Sequence, residues 1–226
     1  LVELRDHVAW LTLNRPAAMN SVNPEMLGAL QSALDCITAT GHVRAIVLTG
    51  SGKAFCTGAD LDVVRGAQAG AQAHEERVQA FVDDVNAFLN RLESLPLPVI
   101  AALNGTTLGA GLEIALCADI VVAKASARIG DGHARYGLLP GGGASARLPR
   151  RIGAAAAKWL SFTSDLVEAA QLLPCGLVQC VFQDDEFAAS VDRLARRIAS
   201  RSPLALRRVK KLIDNALLVT LEQALE

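Results

Sequence analysis

PVIAALNGTTLGAGLEIALCADIVVA, residues 98–123, decides the fold. Its first part belongs to a proline-bounded apolar run, LPLPVIAAL (95–103), and Asn104-Gly105 follows as a turn. A glycine-rich stretch of helical character comes next, and then a second apolar run, DIVVA (119–123). Short β-branched runs on either side of a turn and a helix predict strand, helix, strand. Within LGAGLEIALCA (108–118), Glu113 is the only charged side chain. A lone carboxylate among Leu, Ile, Ala and Cys is costly to bury unless it has a partner or a chemical task.

Upstream, RAIVLTG (44–50) predicts a buried strand and VAWLTLN (8–14) another, ended by Arg15-Pro16. Asn23-Pro24 opens a helix, with Asn as N-cap and Pro at the first position. Leu27, Leu30, Leu34 and Ile37 give that helix its apolar stripe. Residues 78–92 carry apolar side chains at helical spacing. Strand and helix alternate from 44 to 123, which predicts an α/β layer fold. Helical segments follow near 152–162, 167–174, 184–201 and 203–224. The expected organisation is one domain with a helical C-terminal extension.

The 226 residues are 51% hydrophobic and 20% charged, with a net charge of −1. That is enough to bury a sizeable core. No basic run suits nucleic acid, because RRVKK (207–211) alternates with apolar residues in the manner of a helix's wet face. No membrane span and no signal-peptide pattern is predicted. Five cysteines without a C-x-x-C pair fit a reducing, cytoplasmic setting. Cys36, Cys117 and Cys180 read as small core residues. The chain opens in a strand-like pattern and stops in a helix-like one, so it is expected to be trimmed at both ends.

A second glycine turn, KAFCTGADL (53–61), lies upstream of the first. Gly58 there, and the glycines that open the Glu113 helix, let backbone N–H groups face a ligand. The first N–H groups of a helix have no internal partner, and its dipole favours negative charge. Two such N–H groups from separate segments suit a thioester oxygen turning into an enolate, and ordinary strand–helix turns are the alternative. Other motifs fail. GAGLEI lacks the last Gly of a dinucleotide fingerprint, Val47 stands where a phosphate loop needs Gly, and the sequence around Ser145 lacks a nucleophile elbow's closing Gly. No His pair has metal-ligand spacing, so no metal is expected. His7, His42 and His74 read as structural or exposed.

These stretches resemble the crotonase superfamily, the enoyl-CoA hydratase/isomerase family. VAWLTLNRPAAMNSV resembles its first strand and NRP turn, KAFCTGADL its first oxyanion loop, and the stretch quoted first its signature. GLLPGGGASARLPRRIG (137–153) and FTSDLVEAAQLLPCGLVQCV (162–181) match later family patterns. The resemblance implies a crotonase-like spiral of ββα units, with a core at 1–180 and a helical region at 181–226 that ends before the family's last helices. It implies an acyl-CoA thioester as substrate, coenzyme A being part of that substrate with no other cofactor, and a homotrimer or hexamer. Nucleic-acid and membrane partners are not expected. The oxyanion hole would be the N–H groups of Ala59 and Ala110. Ala18, Thr57, Gly58, Asp60, Leu61, Asp62, Gly109 and Tyr136 would line the substrate and its CoA. Tyr136 would be a wall residue. Ala17 replaces a lysine often found after NRP.

Glu113 matches the first of the family's two catalytic glutamates. The second falls, without gaps, at His133. His133 is a second acid/base group, a substrate-positioning group, or a filler in a site that no longer hydrates. Asp131 would supply the missing carboxylate if the segment is extended, since residues two apart then share a side. The implied function is hydration or isomerisation of an enoyl-CoA. The alternative is a non-catalytic acyl-CoA-binding homologue that lost the second glutamate. The scarcity of aromatics suggests an aliphatic acyl pocket, with its depth set by residues 62–80.

Overall fold

A computed structural model describes residues 1–65 and 71–225. In chain order the strands are β1 (Val2–Arg5), β2 (Val8–Leu13), β3 (Ala45–Gly50), β4 (Ala54–Cys56), β5 (Val99–Leu103), β6 (Thr106–Leu108), β7 (Ile120–Lys124), β8 (Arg128–Gly130), β9 (Val167–Glu168) and β10 (Cys180–Phe182). The helices are α1 (Pro24–Thr40), α2 (Leu61–Arg65), α3 (Ala71–Glu93), α4 (Ala110–Leu116), α5 (Ala144–Ile152), α6 (Ala154–Thr163), α7 (Phe187–Ala199), α8 (Pro203–Ala216) and α9 (Leu221–Leu225). The larger sheet runs β1-β2-β3-β5-β7-β10 and the smaller β4-β6-β8-β9. Apart from the β1–β2 hairpin, the larger sheet is parallel.

Each pass of the chain places a strand in the larger sheet, then a three-residue strand in the smaller, then helix: β3-β4-α2/α3, β5-β6-α4 and β7-β8-α5/α6. The fold is the expected spiral of ββα units. The simple strand–helix alternation expected from 44 to 123 misses β4 and β6, and β8 beyond it is likewise unforeseen, because three residues are too few to carry a period-2 pattern. Parallel strands covered on both faces read as continuous apolar runs, and β5 is buried at all five positions.

Helix α1 starts as its cap predicts: Asn23 Oδ1 accepts the Met26 N–H at 2.9 Å. Its buried stripe includes Leu27, Leu30, Leu34 and Ile37. Cys36, expected in the core, is exposed. It lies two residues, and so roughly 200° around the helix, from Leu34. Cys180 is also exposed, at the start of edge strand β10. The other differences have local causes. Gly153, at φ 81°, splits the helix expected at 152–162 into α5 and α6. Residues 167–174 form β9 and a short 3-10 turn, and the last expected helix divides into α8 and α9. Helix α3 begins seven residues earlier than its apolar stripe suggests, through polar turns. The boundary expected at 180/181 falls inside β10, and α7 buries Phe187, Val191 and Ala195 against the same sheet. In α8, Arg207, Arg208 and Lys211 face solvent as expected, but so do Leu204, Leu212 and Ile213. Lys210 turns inward to Asp119 at 2.9 Å.

Candidate active site

The two glycine turns meet. Gly58 has φ +110° and Gly109 has φ +54°, conformations that favour glycine. A Cβ on Gly58 would lie 3.8 Å from the Ala110 nitrogen, and one on Gly109 would lie 3.4 Å from Gly58 Cα. Two residues on, a Cβ at Gly111 would come within 2.1 Å of the Cys56 carbonyl oxygen. Only glycine lets the first turn of α4 rest on β4, and that contact brings the segments together. Gly58 O accepts the Val22 N–H and Asp60 N–H donates to Val22 O, both at 2.8 Å. This parallel bridge leaves the intervening Ala59 N–H outside the ladder. Among the described residues neither the Ala59 nor the Ala110 N–H has a protein acceptor. Two such groups side by side suit an oxygen that gains negative charge.

The first loop is tied to the turn after β2. Arg15 Nη1 pairs with Asp60 Oδ2 at 2.8 Å and donates to Ser21 O at 2.7 Å. Arg15 donates a hydrogen bond to Asp60, which outweighs burial and holds its carboxyl below the usual carboxylate range. Thr57 Oγ1 donates to Met19 O at 3.3 Å. Asn20, with φ +57° and fully buried, accepts the Arg15 N–H at 2.8 Å and donates to Ser51 O and Ala54 O at 2.9 and 2.8 Å.

Glu113 lies one turn along α4 from Ala110, on the same face. Its side chain is 3% exposed. Oε1 accepts the Ala144 N–H at the start of α5, at 3.1 Å. Gly142 lies over the carboxylate so closely that a Cβ there would be 2.4 Å from Oε2. Burial pushes the Glu113 carboxyl above its ordinary range, with the His133 charge and the backbone N–H groups of Ala144 and Gly142 pulling it partly back.

Nε2 of His133 is 4.0 Å from Glu113 Oε2, while Nδ1 is hydrogen-bonded to the 2%-exposed Asp131. The segment between them is not extended. Gly132 has φ +75° and His133 is helical, opening a 3-10 turn. The left-handed glycine, rather than strand alternation, turns the two side chains toward each other. Asp131 O also accepts the Gly109 N–H at 2.8 Å, fastening this loop to the cradle. Burial alone would lower the His133 pKa; the hydrogen bond to Asp131 and the Glu113 charge raise it above the ordinary value. Burial works against the ionised form of Asp131 too, but the His133 hydrogen bond wins and lowers its pKa.

The structure thus brings Glu113, His133, Asp131, Gly58, Ala59, Gly109 and Ala110 into one neighbourhood. Ala18 and Leu61 are half-buried, and Asp62 is exposed, its N–H bonded to Asp60 Oδ1 at 3.2 Å. Tyr136 is 49% exposed at the end of the 3-10 turn. Of the segment expected to set pocket depth, residues 66–70 lie outside the described ones. Sequence reasoning missed Arg15, Asn20 and Gly142. The two non-glycine left-handed residues of the turn after β2, Met19 and Asn20, have a partial signal in the Asn itself.

Two backbone N–H groups without a protein acceptor, beside a buried carboxylate where two strand–helix turns meet, suit an oxygen that gains negative charge. The family model described as enoyl-CoA hydratase/isomerase matches residues 3–226, and the chain belongs to that family. It is 33% identical over 226 residues to the crotonyl-CoA hydratase of Syntrophomonas wolfei, covering 100% of this chain and 85% of that one. It is 34% identical over 225 residues to the 2,3-dehydroadipyl-CoA hydratase of Escherichia coli, with 100% and 85% covered. The crystal structure of an enoyl-CoA hydratase from Bacillus anthracis superposes with a TM-score of 0.93 at 36% identity, covering 100% of this chain and 86% of that one.

Proposed function

We propose that this family member hydrates or isomerises an enoyl-CoA, holding the thioester oxygen on the Ala59 and Ala110 N–H groups. The observation that carries the reading is the buried Glu113 carboxylate 4.0 Å from His133 Nε2, beside that N–H pair. A water about 2.8 Å from both atoms would see them about 90° apart, a geometry it accommodates. In hydration, Glu113 takes a proton from this water as its oxygen bonds to the β carbon. The charge passes to the thioester oxygen in the cradle, and His133 Nε2–H returns a proton to the α carbon. Asp131 holds Nδ1–H, which leaves Nε2 as the working nitrogen. In isomerisation, Glu113 alone removes a proton at one carbon and returns it at another.

The remainder of the reading follows the resemblance. Coenzyme A enters as part of the substrate and the chemistry uses no other cofactor. The chain divides into a core and a helical region near 180, works as a trimer or pair of trimers, and resides in the cytoplasm. The deciding assay follows the conjugated-enone absorbance of crotonyl-CoA with wild type beside His133→Glu. Loss of absorbance with wild type establishes a hydratase with His133 as partner to Glu113. Loss with His133→Glu alone leaves isomerisation as the native chemistry. Glu113→Gln should lower kcat by orders of magnitude with little change in acyl-CoA binding. An equal loss of binding would contradict the assignment.

A further inference from the structure

The ceiling over Glu113 is bolted to a distant helix. Asn86, Asn90 and Glu93 are spaced four and three residues apart and share one face of α3. Asn86 Nδ2 donates to Gly141 O at 2.7 Å. Arg147, one turn into α5, donates from Nη2 to Asn90 Oδ1 at 2.7 Å and to Glu93 Oε2 at 2.8 Å. Its Nε reaches Glu93 at 3.1 and 3.2 Å. Its Nη1 turns back to Gly142 O at 2.9 Å. The carbonyls of Gly141 and Gly142 are therefore both held, directly or through Arg147, by α3. These two residues lead straight into Ala144, whose N–H meets Glu113 Oε1.

We propose that Asn86, Asn90, Glu93 and Arg147 form a positioning clamp that fixes the 141–144 turn against Glu113, and so sets the direction and proton affinity of that carboxylate. The proposal rests on Glu113 being the acid/base group. None of the four side chains is required to touch substrate. Three neighbouring glycines would otherwise leave the turn free to move, and an active-site group displaced by an ångström loses much of its rate. The clamp answers that freedom from outside the site, through backbone carbonyls. Loosening it moves the Ala144 N–H away from the carboxylate, and losing a hydrogen bond to the charged form raises the carboxyl's pKa.

Asn86→Ala removes one bond at the half-exposed end of the network, and Arg147→Lys keeps the charge but loses the fork. Each should lower kcat about tenfold with KM within a factor of two. The acidic limb of the pH profile should move upward. The other ionisable groups around Glu113 are His133 and Asp131 on their loop, Arg147 on α5, Glu93 on α3 and Cys117 just after α4; Asn86→Ala alters none of them. In a Glu113→Gln background, Asn86→Ala should cost nothing further, because the group being positioned is gone. The same loss in both backgrounds, or a loss carried by KM, would assign Asn86 a general structural role and overturn the proposal. A carboxyl-carbon NMR titration of Glu113 reads the clamp without turnover: an upward shift in Asn86→Ala supports it and an unchanged titration refutes it. A wild type inactive on every enoyl-CoA would thus sink the proposed function while the titration still decides the clamp.

Discussion

Gly142→Ala tests the tightest contact in the site. The added Cβ would sit 2.4 Å from Glu113 Oε2 and 2.8 Å from Leu89 Cδ1, whereas ordinary contact begins at 3.4 Å. One partner must retreat by about 1 Å. Leu89 is fully buried and packed in the main core, so it has nowhere to go. The carboxylate, held only by backbone N–H groups of the 142–144 turn, is the softer neighbour. A displacement of about 1 Å in a catalytic group costs on the order of a hundredfold in rate. Overpacking adds about 1–3 kcal/mol of destabilisation, which at this chain length lowers Tm by about 2–4 °C per kcal/mol. The assay pairs kcat on the enoyl-CoA with acyl-CoA affinity and a melting curve. The expected result is a folded protein that binds acyl-CoA with near wild-type affinity and turns over about a hundredfold more slowly. A kcat within twofold of wild type would mean that Glu113 does not work from the position described, and the reasoning would fail.

Gly58→Ala should cost about 1–3 kcal/mol, because φ +110° is strained for any side chain even where space exists; an unchanged Tm together with unchanged kcat would refute a required left-handed turn. Asn20→Ala leaves the Arg15 N–H and the half-buried Ser51 carbonyl without their partner, while Ala54 O keeps Asn104 Nδ2 at 3.2 Å, and should cost about 2 kcal/mol, read as a drop of about 4–8 °C in Tm. Asp131→Asn removes a pair whose pH window follows from its two shifts. His133 is raised, so its share of stability is complete below its ordinary value and disappears as pH rises through its folded pKa. Asp131 is lowered, so its share holds above its ordinary value and disappears in acid. Urea midpoints of wild type and variant should therefore differ most between those limits and converge toward alkaline pH; a gap that widens there would contradict the ion pair.

Local patterns made parts of this molecule readable. Asn23-Pro24 marks the start of α1 because a cap acts over three residues, and the lone Glu113 stands out because burial of a charge needs a reason. The glycine turns were legible for the same local reason, since a missing Cβ is visible in the sequence. What stayed hidden depends on distance. Asp131 and His133 meet through one left-handed glycine, a route that strand alternation does not describe. Arg147 reads as one more basic residue of a helix until α3 is laid beside it. Strands β4, β6 and β8 draw their existence from their neighbours in the smaller sheet rather than from three residues of pattern.

Asn20 gives the cradle a further property. Its amide joins the turn after β2 to backbone 31 and 34 residues away, and Arg15 ties the same turn to Asp60, 45 residues away. The KAFCTGADL loop therefore has no version of its shape that a short peptide can keep. Its geometry exists only when the sheet on either side of it is complete, so the anion site and the fold form and melt as one cooperative unit. Ligand affinity then doubles as a gauge of global folding: as denaturant is raised, acyl-CoA binding and the folded sheet should be lost in the same transition.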